Sequence, residues 1–251
     1  MILLVDIGNS RIKWASLQAG VLIDIGQAPH RERALDAVLD EHWCARAVPS
    51  AVYVANVIGL DAARVMLKWA RAHWRVTPIF VVAQAQAAGV RNAYAQPERL
   101  GVDRWLALLA ARRHSPLPAV IVGCGTAMTV DALAADGQHL GGVIIPGAYT
   151  MATALAATTH LQAPELVVPA HLALAQNTHD AVIGGVWYAL AGAVERIFDE
   201  RAKQWQCEPQ LILSGGDASL LAPLLQRPVQ RIPNLVLEGL ACLVPTQSSS
   251  G

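Results

Sequence analysis

The stretch Asp6-Ile7-Gly8-Asn9-Ser10-Arg11-Ile12-Lys13 carries residue types that handle phosphate. A turn on Gly8-Asn9 leaves successive backbone N–H groups uncovered, and such groups form a concave anion site. Asp6 ends the incoming apolar strand, where a carboxylate can hold Mg²⁺ together with waters and phosphate oxygens. Arg11 and Lys13 share one face of the outgoing strand and can lean toward phosphate oxygens. The same residues also make an ordinary hairpin with a solvated basic face, and this turn alone does not separate the two readings. A partial echo lies more than a hundred residues on. Val122-Gly123-Cys124-Gly125-Thr126-Ala127 resembles Val5-Asp6-Ile7-Gly8-Asn9-Ser10, and each opens a strand–turn–strand unit. A duplicated lobe with a cleft between the copies is the economical explanation; the repeat is short, and chance similarity is the competing one. No Walker A, GxSxG or HExxH sequence is present.

Stepping along the chain, Ile2 to Val5 reads as a strand, and Ile12, Trp14 and Ser16 alternate with Arg11, Lys13 and Ala15 on a second. Helices are expected over 31–41 and 61–73, with strands at 51–55 and 79–82. A helix opens at Arg104 and ends near the Ser115-Pro116 break. The pattern then restarts, with strands at 119–122, 127–133 and 140–145. A helix over 149–159 follows Pro146-Gly147. Asn177 or Thr178 caps a long helix reaching about Lys203. Leu211 to Leu213 is a strand, Ser214-Gly215-Gly216 a turn, and helices cover 218–225 and 235–243. Strands alternating with helices define an α/β fold. The tryptophans fit helix faces or strand ends, with Trp187-Tyr188 open to either core packing or interface anchoring.

Hydrophobic residues make up 54% of the 251 positions and charged residues only 15%, enough for a sizeable core. No apolar run approaches the roughly 18 to 20 residues of a membrane span, and the opening residues do not read as a signal peptide. Nineteen basic and nineteen acidic residues balance, which argues against a general nucleic-acid footprint. Cys44, Cys124, Cys207 and Cys242 are widely spaced with no CxxC pair and no zinc-type ligand spacing, so reduced, mostly buried thiols are expected. A cytoplasmic protein that binds neither nucleic acid nor membrane follows as the expectation.

Three motifs in order resemble those of type III pantothenate kinases, the family that includes the Bvg accessory factors. Asp6-Ile7-Gly8-Asn9-Ser10-Arg11-Ile12-Lys13 resembles their D-x-G-N-[ST]-x-x-K phosphate loop. Leu100-Gly101-Val102-Asp103-Arg104-Trp105 resembles the G-x-D-R-W signature, with Asn92 and Tyr94 at the expected distance before it. Gly125-Thr126-Ala127-Met128-Thr129-Val130-Asp131 is similar to the second loop, G-T-A-x-T-x-D. The order and spacing fit across almost the whole chain. The resemblance implies the duplicated actin-like ATPase (ribonuclease H-like) fold, with two lobes around a nucleotide cleft: 1–115, 116–245, and a flexible tail at 246–251. It implies ATP-dependent phosphorylation of pantothenate in a homodimer, with Mg²⁺ and a monovalent cation, K⁺ or NH₄⁺.

By position, Asp103 corresponds to the catalytic base and Gly101, Val102, Asp103 and Arg104 to the pantothenate segment. Tyr94 corresponds to the substrate-contacting tyrosine, Thr178 to the threonine that reaches substrate across the dimer, and Gly125 and Thr126 to ATP contacts. Ser214-Gly215-Gly216-Asp217 resembles the adenosine-side loop. A carboxylate at Asp103 can orient an alcohol and take its proton late in phosphoryl transfer. Arg104 offers a planar fork for a carboxylate. Read without the family, Asp103 and Thr178 are more readily helix caps, and Tyr94 a packing residue.

The chain departs from the family at Gly123, where most members carry the aspartate that binds the monovalent cation. Glycine has no carboxylate to give, and Asp131, eight residues later, need not reach the same point. The departure puts the cation site and the catalytic rate in doubt. It also sustains an alternative, a ligand-binding regulatory protein that keeps the kinase scaffold. An actin-like sugar or acetate kinase is disfavoured by the length and by the G-x-D-R-W segment.

Overall fold

The computed structural model describes residues 1–159 and 174–245. In chain order the elements are β1 (Ile2–Ile7), β2 (Arg11–Gln18), β3 (Val21–Pro29), α1 (Leu35–Trp43), β4 (Ala51–Asn56), α2 (Leu60–Trp74), β5 (Ile79–Phe80), β6 (Gln86–Ala87), β7 (Val90–Arg91) and α3 (Val102–His114). There follow β8 (Ala119–Cys124), β9 (Ala127–Leu133), β10 (His139–Pro146), α4 (Ala148–Thr158), α5 (Thr178–Trp205), β11 (Gln210–Ser214), α6 (Ala218–Leu221), β12 (Val229–Arg231) and α7 (Leu235–Leu243). They form two compact units. One comprises Met1–Ala110 together with the stretch from Leu235; the other is Ala111–Asn234.

Each unit holds a five-stranded sheet, and the two sheets have the same plan. The first runs β3-β2-β1-β4-β5 and the second β10-β9-β8-β11-β12. In both, three strands form an antiparallel meander and two more add in parallel beyond the first. The short echo in the sequence is therefore a duplicated sheet. Alternation decides which face of each strand is buried. Leu3, Val5 and Ile7 of β1 enter the core of the first unit, and Val120, Val122 and Cys124 of β8 enter that of the second. Asp6 and Gly123 fall on the opposite faces of their strands, at equivalent places.

The first core is rich in tryptophan. α2 buries Ala62, Met66, Trp69, Ala70 and Trp74 at helical spacing. Trp43 of α1 stacks on Trp74 with centroids 5.6 Å apart and meets Trp14 of β2 edge-on at 5.7 Å. The second core centres on α5, whose buried stripe is Ile183, Val186, Trp187, Leu190, Ala191, Val194 and Phe198. This helix is long and apolar enough to cross a membrane by length and composition. Its stripe of buried residues against the second sheet marks it as that unit's core helix. Trp187 is fully buried and Tyr188 is 44% exposed, so the pair divides between the two roles considered for it.

Several expectations need correction. α7, expected in the second lobe, packs with the first unit, against β1, β2 and β4. The reason is steric: Gly239 brings α7 so close to α3 that a Cβ there would overlap the Leu106 carbonyl. Consequently the first unit is built from both ends of the chain, and its boundary falls at Ala110 rather than 115. β3 was not expected, because it is an edge strand with Val21, Ile23 and Ile25 exposed and Asp24 at φ 49°. α3 opens at Val102, two residues early. Asn177, not Thr178, caps α5, its side chain accepting the Asp180 N–H. The thiols are free, but Cys44 and Cys207 are exposed and only Cys124 is buried. The tail expected at 246–251 lies outside the described residues.

Candidate active site

In the first unit the sheet and α3 bring three predicted residues into one electrostatic neighbourhood. Asp6 stands opposite Lys13 in the β1–β2 register and beside Ala55 of β4. Burial pushes its carboxyl up from the usual range to about 7; Lys13 pulls it back down and the charge of Asp103 raises it further. Asp6 and Asp103, ninety-seven positions apart in sequence, are thus close enough to feel each other. A half-buried carboxyl held near neutrality by desolvation fits a divalent cation, whose charge would restore the ionised form. Arg11 is exposed, as is Asn9.

The turn itself is fastened from outside. Gly8 N–H donates to the Arg11 carbonyl at 3.0 Å, closing the loop. His30, buried just beyond β3, donates its Nε2–H to the Gly8 carbonyl at 2.7 Å, while its backbone N–H reaches the Ser10 carbonyl at 3.2 Å. Sequence reasoning missed His30. The only local signal for β3, which delivers it, is the Ala19-Gly20 pair, with φ of 49° and 80°, between two strand-like runs.

Asp103 lies in the first turn of α3, and the capping carbonyl is that of Gly101, which accepts the Trp105 N–H at 2.9 Å. The helix-cap reading of Asp103 therefore does not hold. Its Oδ1 accepts the Arg104 N–H at 2.9 Å, and the residue is half-buried. Trp105, Leu106, Leu108 and Leu109 are fully buried and plant the helix so that its first turn is rigid. Arg104 is 5% exposed and donates from Nη1 to the Tyr94 hydroxyl at 3.0 Å. The predicted substrate pair is thus joined directly. Tyr94 is presented by a loop that Asn92 staples: its Oδ1 accepts the Tyr94 N–H, and its Nδ2 donates to the Gln84 and Pro97 carbonyls. Gly101 and Val102 lead into this helix, Val102 being buried.

In the second unit, Gly125 N–H donates to the Ala127 carbonyl at 3.2 Å. The Thr126 carbonyl accepts from Gly147 N–H at 2.9 Å and from Thr150 Oγ1 at 2.7 Å, so the start of α4 holds this turn. Gly147 permits the approach, because a Cβ there would overlap the Gly125 carbonyl. The Ser214–Asp217 loop closes the other side, with Asp217 N–H on the Cys124 carbonyl at 3.3 Å. Between them lies a shallow recess lined by Gly125, Met128, Gly147, Trp187 and Asp217. Burial, then the charge of Asp217, pushes the Cys124 thiol up to about 12, so it is no nucleophile.

Gly123 pairs with Thr129, whose Oγ1 sits 2.7 Å from where a Cβ on residue 123 would stand. Asp131 is buried and bound to His139 Nε2 at 2.9 Å, itself fully buried. Thr129 is thus the side chain nearest Gly123 across the strand pair, while the Asp131 carboxylate is engaged by His139. Thr178 is exposed at the first position of α5.

Two five-stranded sheets of one plan, each with a glycine turn after its first strand, define the actin-like ATPase and sugar-kinase class. Solved structures agree: a Baf family protein from Campylobacter jejuni superposes with TM-score 0.61 at 21% identity over 95% of this chain and 94% of its own. The activator of 2-hydroxyisocaproyl-CoA dehydratase from Clostridium difficile, solved with ADPNP, gives 0.50 at 13% identity over 96% and 91%. These likenesses establish the fold. The family model for type III pantothenate kinase matches residues 2–200. Type III pantothenate kinases of Nitrosococcus oceani and Aromatoleum aromaticum are each 40% identical, over 96% of this chain and 92% and 96% of their own. The chain belongs to the type III pantothenate kinase family.

Proposed function

We propose that the protein transfers the γ-phosphoryl group of ATP to the primary hydroxyl of pantothenate, giving 4′-phosphopantothenate, the first step of coenzyme A synthesis. Family membership across nearly the whole chain carries this reading, and the Asp103–Arg104–Tyr94 arrangement supports it. Arg104, oriented by Tyr94, holds the pantothenate carboxylate. Asp103 positions the alcohol and takes its proton as the bond to phosphorus forms; a primary alcohol is too weak an acid to be ionised beforehand. With the Gly8 and Gly125 N–H groups closing their own turns, the backbone at Asn9-Ser10 and at Thr126 is left to meet phosphate oxygens, with Lys13 and Arg11 adding positive charge. Asp6 is the residue that would hold Mg²⁺, which when bound would supply positive charge against that developing on the phosphates.

The finer assignments belong to the same reading. A cytoplasmic homodimer would bring Thr178 of one subunit to the substrate of the other. Val143, Ile144, Tyr149, Leu155 and Tyr188 of the second unit are exposed apolar side chains, some of which a partner copy would cover. Dependence on K⁺ or NH₄⁺ is expected to be weak, since Gly123 supplies no ligand.

The deciding assay mixes purified protein, ATP, Mg²⁺ and pantothenate, with and without K⁺, and measures phosphorylated product. Turnover with pantothenate supports the enzyme; binding of pantothenate or nucleotide without turnover would overturn it in favour of a regulatory protein. Asp103→Asn should slow turnover by roughly 10²-fold or more with pantothenate KM little changed.

A further inference from the structure

Asp40, Cys44 and His73 lie outside all the residues assigned above. Asp40 and Cys44 are four apart at the end of α1 and so share a face; His73 comes from the last turn of α2. Cys44 Sγ is 3.6 Å from Asp40 Oδ1, His73 Nε2 is 3.8 Å from the same oxygen, and the three donor atoms all lie within 4.8 Å of one another. Bonds of about 2.0 to 2.3 Å at tetrahedral angles place zinc ligands roughly 3.3 to 3.8 Å apart. We propose that Asp40, Cys44 and His73 form a Zn²⁺ site with water as the fourth ligand.

The surrounding contacts orient these donors. His73 Nδ1 lies 3.0 Å from the Trp69 carbonyl, which can only accept, so Nδ1 carries the proton. Nε2 then faces the Asp40 carboxylate at 3.8 Å, a pair that either a proton or a metal ion between them would satisfy. The imidazole also stacks on the Trp69 indole, with centroids 4.4 Å apart and planes 16° off parallel. Trp69 Nε1–H donates to Asp40 Oδ1 at 2.6 Å, fixing the carboxylate. Partners of this kind, binding the far side of each ligand, are what tune a metal site. Thiolate and imidazole together select zinc over magnesium or calcium. All three side chains are exposed, so an ion can enter. Once bound, it would cross-link α1 to α2 over the Trp43–Trp69–Trp74 cluster and stabilise the first unit by mass action. No zinc-type spacing marks these donors along the chain because they come from two helices.

The experiment uses full-length protein stripped with chelator and titrated with Zn²⁺, then with Co²⁺ as a spectroscopic substitute. One equivalent should bind, with a thiolate-to-cobalt charge-transfer band, quenched tryptophan fluorescence and Cys44 alkylation slowed at least tenfold. Cys44→Ala/His73→Phe should lose that equivalent while keeping its metal-free Tm and its kinase activity. Trp69→Phe should bind Zn²⁺ roughly tenfold more weakly. If wild type binds no more Zn²⁺ than the double variant, the cluster is only a surface His73–Asp40 ion pair and the proposal fails.

Discussion

The glycine turns after β1 and after β8 occupy the same place in two copies of one sheet, and they differ in three ways. Four residues separate the paired Ile7 and Ile12, but only three separate Cys124 and Met128. The first turn follows a carboxylate opposite a lysine, the second a glycine opposite a threonine. A histidine side chain fastens the first, whereas the start of the next helix fastens the second. Duplication thus preserved the backbone cradle while letting side-chain chemistry diverge. The first copy keeps the charge that can bind a metal, and the second keeps a tighter, more neutral turn. The divergence lies both in the turns, by length and fastening, and in the residues just before them.

Removing charge from the first copy should have the largest effect. Asp6→Asn is expected to cut turnover by about 10²-fold or more, yet stabilise the ligand-free protein. The sign follows from linkage: a carboxyl raised from 3.8 to about 7 makes the native state hold a proton that the unfolded chain releases. That group's contribution therefore falls as pH rises from about 4 to 7. The variant should gain a few kcal/mol, at most about 4, at pH 8 and nothing at pH 4, read from urea midpoints. Equal midpoints at both pH values would remove the desolvation argument.

The second turn should be most sensitive to its backbone neighbour. Gly147→Ala forces a Cβ into the Gly125 carbonyl and should cost about 3 kcal/mol, with ATP KM raised roughly tenfold or more. Steady-state kinetics and thermal melts test this together. His30→Ala removes the clamp on the Gly8 carbonyl and should cost about 1 to 3 kcal/mol. Its ATP KM should rise several-fold while pantothenate KM stays unchanged; a reversed pattern would detach His30 from the phosphate turn. Thr150→Val, the nearest counterpart in the second copy, should cost only about 1 kcal/mol, because the Gly147 N–H still holds the Thr126 carbonyl.

The smallest expected change is the most informative about divergence. Gly123→Asp alone places its Cβ against Thr129 Oγ1 and should do little for K⁺ response. Paired with Thr129→Ala, it should introduce a measurable K⁺ stimulation of turnover. A double variant indifferent to K⁺ would show that the second copy lost more than one ligand.

Local pattern made most of this molecule readable, and what it hid was hidden for definite reasons. Strand–turn–strand units and the three motifs stand out because each is contiguous. The edge strand β3 escaped notice because solvent takes most of its side chains, so no buried alternation marks it. Reading α7 as part of the second unit followed chain proximity, whereas Gly239 against Leu106 sets its true partner. His30, Gly147 and Thr150 serve the turns through contacts 20 or more residues away along the chain, which no motif spells out. Asn177 was one of two adjacent capping candidates, and only geometry chose between them.

The discontinuous first unit has a consequence for biogenesis. Its sheet and first helices leave the ribosome early, but α7 emerges only after all of Ala111–Asn234 has been synthesised. Vectorial delivery lets the second unit close while the first still waits for its last helix, the reverse of the usual N-terminal-first order. During that interval the nascent chain presents the surface of β1, β2 and β4 that α7 later covers, and a chaperone would find its apolar target there.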